Sequence, residues 1–386
     1  MIFKEITAVL CAAAAALSLS LPACSEEQTE PDTKTAKAAI LTELSTGQPI
    51  FELNADLRLP IASVTKIMTL IIAAEEIEAG RLSFDDTAVC SDYAGSMDGS
   101  VIWLEAGEEM SVGDLIKSVV IASANDACVM LAEHIEGSET AFVQRMNKTA
   151  ARLGLDNTSF ANCVGYDNEN HYSTARDISV MAAELRQYPY FDDFLLTRLD
   201  SVRTGTSRES QLLNTNKLIT SYNGITGLKT GTTDKAGCCL CATAERNGME
   251  LAAVVLGCSD DDDRFSAAKA LLDYGFNGYE KATPHPDVSE LLEIPVENGV
   301  KSGADTRFSG VSPIILPKGG ASRLKYHYSR TEKVSAPVAK GQTMGFVTVT
   351  LDDEVIGTIK IIAAEEVEQL SFGKCAGYMF EALFRF

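Results

Sequence analysis

Apolar and polar positions along the chain repeat with two periods, and the switches between them mark out its elements. Ala38-Ala39-Ile40-Leu41 and Pro49-Ile50-Phe51-Glu52-Leu53 flank the polar Ser45-Thr46-Gly47-Gln48, the pattern of a hairpin. From Ser63 to Ala79 the period becomes helical, and it stops at Gly80. Val64, Ile67, Met68, Leu70, Ile71 and Ile72 cover most of that helix's circumference, so it belongs at the centre of a domain. Residues 83–107 are loop-rich. Ser111 then reads as an N-cap, with Asp114 three residues on, ahead of a helix to Ala122. The pattern breaks at Ser123-Ala124-Asn125-Asp126 and resumes from Ala127 to Ile135. Further helices are expected at residues 139–152 and 174–187, while residues 194–219 support no firm assignment.

Past that stretch the period shortens to that of strands. Residues 238–246 turn at Asn247-Gly248 and return as residues 251–257, a strong hairpin signal. A helix over residues 264–274 would pack behind this sheet. After Gly278, short β-rich runs at 291–296, 311–316, 346–351 and 355–362 alternate with Gly and Pro turns, which predicts a small, mostly antiparallel β domain over residues 283–365. The closing stretch gathers Phe372, Tyr378, Met379, Phe380, Leu383, Phe384 and Phe386 around few charges. Residues 366–386 are expected to form an amphipathic helix lying on a membrane surface; packing on the chain's own body is the alternative.

Composition narrows the function classes. With 386 residues, 46% of them hydrophobic, the chain can bury a large core in two domains plus appendages. A net charge of −21 argues against a nucleic-acid partner, because phosphate affinity needs clustered Lys and Arg. Only four histidines occur, in no metal-ligand spacing and beside no candidate nucleophile, so nothing points to a metal or a Ser-His-Asp triad. Residues 1–24 read as an export signal: Lys4, then an apolar stretch, then small residues. Leu21-Pro22-Ala23-Cys24 resembles a bacterial lipobox, which would make Cys24 the lipidated first mature residue, and residues 25–36 read as a polar tether. Cys238-Cys239-x-Cys241 invites a metal reading, but a strand sends alternate thiols to opposite faces, so buried small hydrophobes fit better.

The candidate chemistry starts at Ser63. A lysine follows three residues later, and positions i and i+3 share a helix face, so the Lys66 amine can lie beside the hydroxyl. A serine needs a base to take its proton, and a desolvated lysine can supply one. The spacing alone is weak: Ser266…Lys269, Ser322…Lys325 and Ser371…Lys374 repeat it. Ser123 and Asn125 lie between two helices, where a turn can project both into a cleft; the plainer possibility is that Asn125 or Asp126 caps the second helix. Lys229-Thr230-Gly231 occurs once, just before the hairpin. It offers a cation, a hydroxyl and a close backbone approach to an anionic substrate.

In order, Ser63-x-x-Lys66, Ser123-x-Asn125 and Lys229-Thr230-Gly231, spaced by 60 and 106 residues, resemble the motif set of the penicillin-recognising serine enzymes. Ala62-Ser63-Val64-Thr65-Lys66-Ile67-Met68-Thr69, Asn214-Thr215-Asn216-Lys217-Leu218 and Leu271-Leu272-Asp273-Tyr274-Gly275-Phe276 narrow the resemblance to the serine-type D-alanyl-D-alanine carboxypeptidases among the low-molecular-mass penicillin-binding proteins. The resemblance implies an α/β (α+β) fold: a catalytic domain over residues 37–280, with an antiparallel sheet flanked by helices, plus the small C-terminal β domain. It implies Ser63 as nucleophile, Lys66 as its base, and Ser123 and Asn125 as proton relay and peptide holder. Lys229, Thr230 and Arg264 would bind the terminal carboxylate of a peptidoglycan stem ending in D-Ala-D-Ala, with Gly231 at their side. The N–H groups of Ser63 and Thr232 would form an oxyanion hole, β-lactams would acylate Ser63, and no cofactor or metal is called for. Thr232 stands where some members carry histidine, which bears on substrate preference and deacylation rate. A class A β-lactamase would be expected to have Ser-Asp-Asn at 123–125. An endopeptidase, a transpeptidase and a silent wall-binding protein also compete with the carboxypeptidase reading.

Overall fold

The computed structural model describes residues 29–384, and the export signal and Cys24 expected from the sequence lie outside them. The described chain divides into a unit ending at Tyr279 and a second beginning at Glu280. Part of the stretch read as a tether is packed: Thr33 is buried, and the Ala36 N–H closes a turn onto Thr33 O at 2.9 Å.

The first unit is built on a five-stranded antiparallel sheet. β1 (Ala38–Glu43) and β2 (Pro49–Leu53) form the expected hairpin; β3 (Ile225–Thr233), β4 (Gly237–Arg246) and β5 (Met249–Cys258) complete the order β2-β1-β5-β4-β3. The Asn247-Gly248 turn sets the β4–β5 register, and Asn247 takes the left-handed φ of +54° such a turn demands. Alternate residues serve opposite faces. Ile40, Val254 and Leu256 point into the main core, while Leu41 and Leu251 meet α6 (Asp261–Gly278), where a Cβ on Gly275 would lie 2.8 and 2.5 Å from their methyls.

The main core joins the other sheet face to α1 (Lys66–Glu78), α2 (Val112–Ile121), α3 (Asn125–Glu136), α4 (Glu139–Arg152) and α5 (Ala175–Leu185). α1 sits at its centre, as its apolar circumference requires: Ile67, Met68, Leu70, Ile71 and Ile72 are all buried, each worth about 1.5–3 kcal/mol. The helix does not start at Ser63. Ala62–Thr65 form a 3-10 turn, entered through Ala62 at φ +49°, and regular α-helix begins at Lys66. Residues 194–219, for which the apolar pattern supports no assignment, fall across a short helix (Asp192–Leu196), a two-stranded ribbon (Leu199–Val202 with Ser210–Leu213) and a 3-10 turn (Lys217–Thr220). These elements are too short for periodicity to register.

The second unit is β-rich. β6 (Thr306–Ser309), β7 (Leu324–Arg330), β8 (Thr343–Leu351) and β9 (Glu354–Ala363) form a sheet in the order β6-β9-β8-β7. A second small sheet sets Ile294–Glu297 between Gly303–Ala304 and Val334–Ser335. The terminal helix starts later than the sequence suggests. Val367 is buried and bridged to Val338, and α7 spans only Phe372–Phe384. α7 exposes Phe372, Met379, Phe380 and Leu383, and no described helix is long and apolar enough to cross a membrane.

Candidate active site

The 3-10 turn brings the first motif together. Lys66 Nζ donates to Ser63 Oγ at 2.8 Å, to Asn125 Oδ1 at 2.7 Å and to Val164 O at 2.9 Å. The amine is fully buried, and burial lowers its pKa to about 8, against the opposing pull of Cys128, Cys163 and Asp126. A buried lysine with three acceptors is held in one place, and with its pKa lowered to about 8 a minority of it is already neutral near physiological pH. That is what a general base for a serine hydroxyl requires.

Two glycines permit the crowding around Ser63. A Cβ on Gly165 would lie 1.9 Å from Ala62 O, and one on Gly231 would lie 2.8 Å from both Ile61 O and Ser63 N. The edge strand β3 therefore runs directly against the turn that carries Ser63, and any side chain at 231 would push it away.

The second motif comes from the break between α2 and α3. Ser123 sits at φ +60°, a conformation costing a non-glycine residue about 1–2 kcal/mol, and it aims its hydroxyl at the third motif. Lys229 Nζ donates to Ser123 Oγ at 2.8 Å. Burial and the nearby Lys66 hold the Lys229 amine well below the usual lysine range. Asn125 is no helix cap: α3 has Ala124 at its N-cap without a side-chain bond, while Asn125 Nδ2 donates to Asp98 O at 2.7 Å. Asp126 instead accepts from the N–H groups of Ile102 and Leu104, tying down the loop before α2.

Thr230 and Arg264 reach the same place from other directions. Thr230 Oγ1 donates to Thr215 Oγ1 at 2.6 Å, and Arg264 Nη1 donates to Gly231 O and to Thr232 Oγ1, both at 3.0 Å. The Arg264 guanidinium also pairs with Asp261 in the first turn of its own helix. Part of its fork is thus spent on holding the end of β3. Ser63, Ser123, Asn125, Thr230, Gly231, Thr232 and Arg264 all line one cleft of about 280 Å³.

Sequence reasoning did not single out Tyr166, Asp98, Val164 or Thr215. Tyr166 OH donates to Asp98 Oδ1 at 2.6 Å, strapping the 97–104 loop across the cleft. Burial, together with that carboxylate, pushes the phenol up to about 12, so it stays a donor. Tyr166 and Val164 belong to an irregular loop whose place is fixed only by tertiary contact, so no period could flag them. Thr215 did fall within the Asn214–Leu218 stretch that carries the resemblance. His171 is structural: its Nδ1 accepts from Ala161 N, its Nε2 pairs with Thr65 Oγ1 at 2.7 Å, and burial pushes the imidazole down to about 4. Cys239 and Cys241 are fully buried in the main core, and Cys238 turns to the other face beside Thr232.

Comparison with known proteins adds independent lines. Residues 25–260 match the family model described as D-alanyl-D-alanine carboxypeptidase (Peptidase_S11), and residues 279–369 match that of the penicillin-binding protein 5 C-terminal domain. D-alanyl-D-alanine carboxypeptidase DacF of Bacillus subtilis is 38% identical over 338 residues, covering 87% of each chain. The crystal structure of penicillin binding protein 5 from Haemophilus influenzae superposes with a TM-score of 0.79 at 31% identity, over 89% of this chain and 100% of that one. Penicillin-binding protein D2 of Listeria monocytogenes, solved in an ampicillin-bound form, matches at 30% identity and a TM-score of 0.54, over 63% of this chain and 98% of its own.

Proposed function

The chain belongs to the D-alanyl-D-alanine carboxypeptidase family of serine peptidases, and on that premise we propose how its own residues divide the reaction on a peptidoglycan stem. The observation that carries the assignment is the 2.8 Å contact between Ser63 Oγ and a fully buried Lys66 amine. Lys66 takes the Ser63 proton as Oγ bonds to the carbonyl carbon of the penultimate D-alanine. The resulting oxyanion is held by the N–H groups of Ser63 and Thr232, each such donor contributing about 3–4 kcal/mol. The C–N bond then breaks, and the terminal D-alanine leaves with a proton relayed through Ser123, whose hydroxyl is held by Lys229. Water, activated in turn by Lys66, hydrolyses the ester and frees Ser63.

Asn125 holds the peptide and fixes the Lys66 amine. Lys229, Thr230 and Arg264 receive the terminal carboxylate. Its arrival restores the charge that burial takes from Lys229, so an acidic chain can still hold an anionic tail. β-Lactams acylate the same Ser63. The acting site is outside the cytoplasm, after export directed by residues 1–24, with attachment through the apolar side chains α7 exposes and through a lipid on Cys24.

Intact-mass spectrometry of the full chain with benzylpenicillin, with Ser63→Ala as control, tests the assignment. A one-to-one adduct on the wild type alone, with D-alanine released from a D-Ala-D-Ala peptide, is expected. Fast drug hydrolysis without an adduct would make the chain a β-lactamase. Neither adduct nor hydrolysis from folded protein would refute Ser63 as nucleophile.

A further inference from the structure

Behind the loop that closes the cleft lies a larger groove, about 590 Å³, which the reaction above leaves unused; Met97, Val101, Trp103, Arg208 and Gln211 help to line it. Trp103 is the chain's sole tryptophan, and it is 71% exposed. An indole left in water on a flexible loop would mean little, but the backbone that carries this one is fixed in place. Its backbone is held at φ +54°; Asp126 takes the flanking N–H groups of Ile102 and Leu104 at 3.0 Å; Arg208 donates to Trp103 O at 2.7 Å. Holding a bulky aromatic in a left-handed conformation, exposed, costs stability that a ligand can account for.

The groove's cations are answered by carboxylates, and Glu209, which also lines it, accepts from Gly205 N at 2.9 Å. Arg208 pairs with Glu105 and Glu108 at 3.1 and 2.9 Å, Arg203 with Glu108 at 3.5 Å, and Asp126 is saturated by backbone donors. Both arginines among the described residues of the groove are thus neutralised, which leaves little to attract an anionic peptide. A flat aromatic face beside neutralised polar groups suits a neutral ligand with both C–H faces and hydroxyls, which is a sugar. Groove and cleft share one wall. Ser100 lines the cleft and Trp103 follows three residues later, at most about 10 Å along the chain, while the four stem residues between a scissile D-Ala bond and the glycan span up to about 14 Å.

We propose that the Trp103 groove is a subsite for an N-acetylated aminosugar of the peptidoglycan glycan strand, engaged while the attached stem reaches Ser63. The proposal rests on the D,D-carboxypeptidase reading for its substrate, and its test separates the two. Because the chain has one tryptophan, emission excited to the red of tyrosine absorption reports Trp103 alone. Titrating the full-length Ser63→Ala protein with the N-acetylglucosamine disaccharide, which has no peptide, should give a saturable change in that emission. In kinetics, Trp103→Ala should raise KM about 5–20-fold for a disaccharide-pentapeptide, with kcat unchanged. It should leave the free pentapeptide unaffected, and Trp103→Phe should restore much of the loss. An unchanged emission, or equal KM changes for both substrates, would overturn the sugar subsite. If the wild type hydrolysed neither substrate, the catalytic reading would fall, and the fluorescence titration would still decide the subsite.

Discussion

The two units of this chain bury different things. The unit ending at Tyr279 encloses Lys66, Lys229, Arg264 and Asp126, each nearly or wholly out of water. In the unit beginning at Glu280, Thr350 is the one polar residue among the buried residues described, and the charges sit in surface pairs such as Arg323–Asp352 and Lys301–Glu365. Burying a charge costs several kcal/mol unless partners compensate, and replacing buried ion pairs by apolar residues is often stabilising. Two lysines in the middle of a core are therefore poor stabilisers, and the proposed chemistry accounts for keeping them. The β unit carries no such expense, and its sequence reads as packing throughout.

The contrast is broken most directly by removing a buried charge. Lys66→Met should lower kcat/KM for a D-Ala-D-Ala peptide by about 10⁴-fold or more, as loss of a nucleophile's base does, while the protein remains folded by circular dichroism. Activity within tenfold of wild type would mean that the burial of Lys66 serves structure. The reverse experiment belongs to the other unit. Ile361 is fully buried in the central strand β9, paired on both sides. Ile361→Ala should cost about 2–5 kcal/mol in the calorimetric transition of that unit and leave kcat/KM on a free pentapeptide unchanged. A parallel loss of activity would show that the β unit supports the site.

A pH profile sharpens the comparison without a mutation. The folded Lys66 pKa is about 8, below an ordinary lysine, and in the proposed mechanism the neutral amine is the active form. As pH falls through 8 the base gains a proton, so kcat/KM should drop toward tenfold per unit, on the order of 50-fold between pH 8 and pH 6. A limb near the usual lysine range would mean that burial does not set this amine's acidity.

The same contrast governs how much was legible in the sequence. The hairpins, the α1 core helix and the β-rich second unit follow from apolar period and turn chemistry. Ser63 with Lys66 and Ser123 with Asn125 were legible because each pair is set by local geometry, a 3-10 turn or a break between helices, and Lys229 because Lys-Thr-Gly occurs once, just before a hairpin. Tyr166, Asp98 and Val164 were not, because loops remote in sequence meet only once the core has formed. Nor could the sequence place the start of α1. The left-handed Ala62 that shifts it lies where Gly165 and Gly231 come close to the turn, tertiary contacts with no local signature.

The smallest effect should come from the β unit's surface. Arg323 and Asp352 pair across the β7 and β8 ends with side chains 37% and 50% exposed. Water screens such a pair, and ordering two long side chains offsets most of what remains, so exposed pairs contribute about 0–1 kcal/mol. Arg323→Ala should shift the unit's melting temperature by less than about 4 °C and leave kcat/KM and penicillin acylation unchanged. Raising salt from about 50 to about 500 mM should shrink even that shift, since the Debye length falls toward the pair's own dimensions. A large, salt-insensitive loss would place this charge in the same class as Lys66, bound by partners water does not reach. The division between a unit that buries charge for chemistry and one that keeps it outside would then no longer hold.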